Sequence, residues 1–326
     1  MDAFKLMKEL RANYEQEGHY IPKETGLNLI ESTSQNGGGI SAKCRDAQVE
    51  DLWGLSSFFA YSTQTFVLAV NLLDRFLALM RVQPKHLSCV GLSCLHLAAQ
   101  RSTLDSTLSS GHELIRIGQR RFTASDLSRM EKIVAEKLHL TASAVTPLTF
   151  LHLYHQVALS QSPSSRKEVL SLDKLEAQLK ACLCRMSFSK AKPSVLALAL
   201  LRHEIQAVQS DDMLEMTHHV QRHLKIADGE LEHWGECVAR CLSDYESPRC
   251  SRPNHRKLLW VVSRRTAHNL QTSSCCAPDL PTIPEAGWDH SQSEDLSEDL
   301  SSGEESLSSS LEGPGGYFPL HLRRRR

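Results

Sequence analysis

Between residues 49 and 245 the apolar side chains return at three- and four-residue intervals, stop at turn residues, and then begin the same programme again. The first run carries Leu52, Leu55, Phe58 and Phe59, then Phe66, Ala69, Val70, Leu73, Phe76, Leu77 and Met80, which is the spacing of two helices. Pro84 opens a third with Leu87, Val90, Cys94, Leu97 and Ala98; GHELIRIGQ is long enough for a short fourth. TASDLSRMEKIVAEKL makes a fifth, with Thr123 as N-cap and Leu127, Met130, Val134 and Leu138 along one stripe. TPLTFLHLYHQVAL, LDKLEAQLKACLCRMSF, KPSVLALALLRHEIQAV, DDMLEMTHHVQRHL and DGELEHWGECVARCLSDY then give five more. In both halves the third helix is the most apolar, opens at a proline (Pro84, Pro193) and uses small residues, as a helix packed on all sides does. An all-α protein of two five-helix repeats, each with a central helix among four others, is the expected fold.

The flanks differ in kind. Residues 1–44 hold a short N-terminal helix and a segment, IPKETGLNLIESTSQNGGGISAK, whose glycine triplet and Ser/Asn run suit a linker. The repeats are expected at 45–142 and 143–245, followed by a basic apolar segment at 246–278 and a tail at 279–326. Residues 289–312 hold eight Asp or Glu and no Lys or Arg, too little apolar surface to fold, so the tail is expected to be disordered. RKLLWVVSRR, residues 256–265, suits a terminal helix laying Leu259, Trp260 and Val262 on the preceding domain, or else a nuclear-import cluster or a surface for acidic partners.

Composition excludes more than it selects. Lys plus Arg number 37 against 38 Asp plus Glu, a formal charge of −1 in 326 residues, so global charge favours neither nucleic acid nor membrane as partner. No segment approaches the ~18 uninterrupted apolar residues of a spanning helix, and MDAFKLMKELRANYEQ is amphipathic rather than a secretory signal. Cytoplasm and nucleus are the expected locations, and the ten cysteines are expected to be reduced thiols, several on apolar helix faces (Cys89, Cys94, Cys182). His233, Cys237 and Cys241 recur at four-residue spacing, but a straight helix supplies two metal ligands easily and a third poorly. Packing is the preferred reading, and no metal or cofactor is expected. GGG at 37–39 lacks the Lys-Ser/Thr of a phosphate loop, and HExxH, GxSxG and paired CxxC are missing. No catalytic residues and no enzyme activity are expected.

At LAVNLLDRFLALMRVQPKHLSCVGLSCLHLAAQ, residues 68–100, and again at TASDLSRMEKIVAEKL, the sequence resembles the cyclin box. KLEAQLKAC, FSKAKPSVLAL and DLPTIPE are similar to the G-type cyclins of vertebrates, nearer their type-two paralogue. The resemblance implies a tandem cyclin fold and a role in regulating the cell cycle, for G-type members one linked to growth arrest. It also implies that Arg45 pairs with Asp74 of the DRF sequence, joining the first helix to the second, although an exposed pair there would contribute little.

Other family landmarks carry over unevenly. Cyclins contact a cyclin-dependent kinase through a Lys ending the third helix and a Glu on the fifth; the Glu matches Glu131, but the Lys position holds Gln100, with Arg101 next. Gln supplies no cation, and one residue along a helix is a turn of about 100°. The apolar docking patch of cell-cycle cyclins maps to Cys44, Gln48 and Asp51, which makes an apolar cleft doubtful. Three readings follow: an adaptor recruiting another enzyme, ahead of a kinase-binding and kinase-activating subunit, ahead of a nucleic-acid-binding member of the fold.

The adaptor reading rests on the tail. Leu280, Ile283 and Glu285 in LPTIPE stand at LxxIxE spacing, which resembles the short motif docking on B-prime subunits of protein phosphatase 2A, known partners of G-type cyclins. Pro281 and Pro284 hold such a segment extended, which lowers the entropy lost on binding. Ser291, Ser301, Ser302 and Ser309 each have an acidic residue three positions later, as an acid-directed kinase requires, and phosphorylation there is expected to control protein lifetime.

Overall fold

The N-termini of seven helices show why they begin where they do. Ser41, Ser62, Ser110 and Ser171 each accept the backbone N–H three residues on, and Thr123 forms a reciprocal capping box with Asp126. Pro84 and Pro193 stand in the first turn of the two central helices, where a missing N–H costs nothing. The computed structural model describes residues 3–33, 39–102, 109–140, 144–161 and 170–246, which all fall within one compact unit.

Among the described residues the regular structure is entirely helical. Two N-terminal helices, α1 (Ala3–Gln16) and α2 (Glu24–Ser32), precede the first repeat of α3 (Ala42–Phe58), α4 (Thr63–Leu79), α5 (Pro84–Arg101), α6 (Gly111–Ile117) and α7 (Ala124–Leu138). The second repeat comprises α8 (Pro147–Gln161), α9 (Leu172–Leu183), α10 (Pro193–Val208), α11 (Asp211–Leu224) and α12 (Asp228–Glu246). Short 3-10 turns at Glu17–Tyr20 and Met186–Lys190 punctuate the chain. α5 packs against α3, α4, α6 and α7, and α10 against α8, α9, α11 and α12. Every residue from 89 to 95 and from 193 to 201 is buried accordingly. No described helix is long and apolar enough to cross a membrane.

One sequence expectation needs correcting. Within the segment taken as linker, Glu24–Ser32 forms α2, burying Leu27 and Ile30. Gly26 lets this helix lie directly on α4, because a Cβ at that position would come within 2.0 Å of the Ala78 carbonyl oxygen.

α1 reaches the other repeat. Leu6 and Leu10 are buried, α1 packs on α8, and Glu17 just beyond it accepts hydrogen bonds from the Ser194 backbone N–H and hydroxyl, each at 2.9 Å. Glu17 thereby caps the N-terminus of α10 from 177 positions away. Burial raises its carboxyl above the ordinary glutamate value, against the lowering effect of the two Ser194 bonds and Lys192.

Candidate functional site

Arg45 is among the largest wholly buried side chains of the protein. It projects from α3 and donates through Nε and Nη2 to the two carboxylate oxygens of Asp74 on α4, at 2.8 and 2.6 Å. The guanidinium does more than join those helices. Nη1 donates to the Leu183 carbonyl at the end of α9, 2.8 Å away, and Ser189 Oγ donates to Asp74 at 2.7 Å. Asp46, next to Arg45, accepts the Met186 N–H at 2.7 Å. Burial pushes the Asp46 carboxyl upward, with Arg45 opposing. For Arg45, burial alone would weaken the charge, but the carboxylates outweigh it and the guanidinium binds its proton more tightly than usual. The pair is therefore the centre of a junction between the two repeats, with its carbonyl and hydroxyl partners drawn from the second.

The α5–α7 edge is built differently. Glu131 on α7 meets His96 Nδ1 on α5 at 2.5 Å, both side chains largely sheltered, at 14% and 12% exposure. Gln100, one turn beyond His96, lies with its amide nitrogen 3.3 Å from the same Nδ1. Arg101 ends the helix, half-buried. Glu131 is thus engaged by a neighbour within its own chain, and the exposed Gln100 lies against the same histidine. His96 was missed in the sequence because it stands 35 residues from Glu131; its one legible signal was its position four before Gln100, on the same helix face.

Where the resemblance placed an apolar patch, the surface is polar. Gln48 packs over Gly91, where a Cβ would meet its amide nitrogen at 2.8 Å, and donates to Asp51 at 3.3 Å. Asp51 forms an ion pair with Arg120 from the turn after α6. Cys44 is exposed. A peptide offering apolar side chains finds a carboxylate and a guanidinium already paired here.

Elsewhere on α12, His233 Nε2 and Cys237 Sγ are 3.9 Å apart near the surface, whereas Cys241 is buried. Among the described residues no three His, Cys, Asp or Glu side chains converge as metal ligands would. Leu280, Ile283 and Glu285, the serines at 291, 301, 302 and 309, and the basic segment beyond Glu246 lie outside the described residues.

Paired five-helix bundles with a buried Arg–Asp link define the class, a protein of the cyclin fold. The same fold is found in a viral cyclin from herpesvirus saimiri, which superposes with a TM-score of 0.51 at 18% identity over 64% of this chain and 90% of that one. The family description "Cyclin, N-terminal domain" matches residues 2–142. Cyclin-G2 of Mus musculus is 56% identical over 91% of this chain and 86% of that protein, and Cyclin-G2 of Homo sapiens 54% over 95% and 90%. Cyclin-G1 of Bos taurus is 50% identical over 87% and 96%. The chain belongs to the cyclin family, in its G-type branch and nearer the type-two members.

Proposed function

We propose that this G-type cyclin is a non-catalytic regulator of the cell cycle that acts as an adaptor, recruiting protein phosphatase 2A through a B-prime subunit and favouring growth arrest. The observation that carries this reading is the α5–α7 edge. Glu131 is already bonded to His96, and the position where kinase-binding cyclins resemble one another in offering a lysine holds Gln100. Docking a kinase there requires breaking a sheltered 2.5 Å contact without gaining a cation. The polar Gln48–Asp51–Arg120 surface argues in the same direction, against recruitment of substrates by an apolar patch. LPTIPE supplies the alternative contact: Leu280 and Ile283 for two apolar pockets, Glu285 and the acids from Asp289 for a basic rim.

Protein recovered with the phosphatase from cells tests the proposal. Leu280→Ala with Ile283→Ala is expected to abolish recovery, and a peptide of residues 276–295 to bind the B-prime subunit at micromolar strength. Undiminished recovery by the full-length double variant would assign the contact to the helical repeats instead. The second reading, a kinase-binding and kinase-activating subunit, is favoured by the cyclin fold and by Glu131 itself. Its test is Gln100→Lys, which is expected to gain kinase binding; strong wild-type binding that survives Glu131→Ala removes that edge from the contact. Cytoplasm and nucleus are the proposed locations, and the acidic serine stretch is proposed to set turnover. Deleting residues 289–312 lengthens the half-life in cells if so, and leaves it unchanged if not.

A further inference from the structure

Positions 233, 237 and 240 of α12 are spaced by four and then three residues, so their side chains rise from one face of the helix. His233 Nε2 lies 3.9 Å from the Cys237 sulfur, and Arg240 Nη2 donates to that sulfur at 3.6 Å. The histidine ring is held in place by Trp234, which it meets nearly edge-on with centroids 5.1 Å apart, and Trp234 is itself packed on the buried Phe188. Cys237 is half-buried between an exposed His233 and an exposed Arg240. The other described thiols are placed differently. Cys89, Cys94, Cys182, Cys184 and Cys241 are buried, and burial pushes the first four thiols upward. Cys44 is exposed, but the donor to its sulfur is the neutral Ser41 hydroxyl, at 3.3 Å. Cys237 combines access from solvent with a base and a cation at one sulfur, the surroundings that make a cysteine nucleophilic.

We propose that Cys237 is a modification site for small disulfides of the glutathione class, with which it forms a reversible mixed disulfide. The Cys237 thiol gives its proton to His233 Nε2, and the sulfur, its negative charge held by Arg240, attacks one sulfur of glutathione disulfide. The S–S bond breaks, a new one joins Cys237 to one glutathione, and the other glutathione leaves as a thiolate that takes the proton back from His233. One thiol and one disulfide give one mixed disulfide and one thiol; Cys237 is oxidised and the departing glutathione reduced. Excess thiol drives the exchange backwards. The adduct puts a tripeptide with two carboxylates on the outer face of α12 beside Trp234, so oxidation changes the charge and shape that this face offers to partners.

Peptide mapping decides the matter. The reduced full-length chain is treated with glutathione disulfide for increasing times, its remaining thiols are alkylated, and it is digested with trypsin. Cleavage after Lys225 and Arg240 releases IADGELEHWGECVAR, residues 226–240, in which Cys237 is the sole cysteine. This peptide is expected to gain the adduct well ahead of peptide 86–101, which carries Cys89 and Cys94, and to lose it to dithiol. In urea that lead should disappear, because it depends on the folded helix. His233→Gln is expected to slow the reaction at Cys237 by about tenfold. Arg240→Gln slows it less, and Arg240→Lys, which keeps a cation, restores most of the rate. In all three variants peptide 86–101 should react as slowly as in the wild type, which shows the fold intact. A peptide 226–240 that gains the adduct no faster than peptide 86–101 in the folded wild type, or a rate at Cys237 that neither His233→Gln nor Arg240→Gln changes, overturns the proposal.

Discussion

Two charged clusters in the same bundle sit at opposite ends of a scale. At the repeat junction, Arg45 is fully enclosed and every partner is close: both oxygens of Asp74, the Leu183 carbonyl and Asp46. In the second repeat, Lys174 on α9 reaches Glu204 on α10 at 2.5 Å, and Gln178 donates to the same carboxylate at 2.9 Å. There Glu204 is buried, but the lysine side chain is 44% exposed. One cluster must be complete to exist, because a lone guanidinium in the core has no water to turn to. The other keeps solvent as a substitute partner. The lesson is that burial of both partners, rather than the presence of an ion pair, sets how much a cluster matters.

The sharpest way to break this contrast is Asp74→Ala, which leaves Arg45 buried without its main counter-charge and is expected to cost about 3–5 kcal/mol. Urea unfolding reads the loss, and a drop below ~1 kcal/mol removes the junction from its central place. Replacing both members by apolar side chains, Arg45→Met with Asp74→Leu, should recover a large part of that loss. Next comes Glu204→Ala, expected at about 2–3 kcal/mol because Gln178 loses a charged acceptor in the core. Lys174→Ala, at the exposed end of the same contact, should cost less than ~1 kcal/mol. A Lys174 effect as large as that of Glu204 would contradict the contrast.

The smallest expected effect is a dependence on pH. Glu17 is a buried carboxylate whose helix-capping bonds do not fully offset desolvation, so its folded pKa lies above the ordinary 4.5. The folded state then holds this proton more tightly than the unfolded chain does. Stability contributed by Glu17 falls as pH rises through the window above 4.5 and is regained as pH drops. The stability of the wild type relative to Glu17→Gln should therefore improve on acidification from neutrality; a relative loss would show that the Ser194 bonds and Lys192 win.

The order of the ten repeat helices was legible because helical period, prolines and caps are local signals, although LDKLEAQLKACLCRMSF, read as one helix, stops at Leu183. Thr123 could be named as an N-cap from its own neighbourhood, and Asp126 completes the box three residues on. What escaped was long-range. α2 was hidden by the glycine triplet and Ser/Asn run that follow it, and the close approach that Gly26 permits depends on Ala78 lying across it. The resemblance brought Arg45 and Asp74 together, but Leu183 and Ser189 lie more than a hundred residues away from them and carry no motif of their own. His96 was one histidine among sixteen, and no motif singled it out.

The Glu17 cap on Ser194 also has a consequence in time. Both groups are buried, and neither is satisfied until the other is present. On a ribosome adding about 5–20 residues per second, the 177 positions between them separate their synthesis by roughly 9–35 s. The helix that α1 docks on, α8, is complete only at Gln161, and until then the apolar side chains of Leu6 and Leu10 remain uncovered by the second repeat. A nascent chain of this protein thus carries an uncovered amphipathic helix while its whole first repeat is being made, which makes its opening segment the natural target of whatever escorts the chain during synthesis.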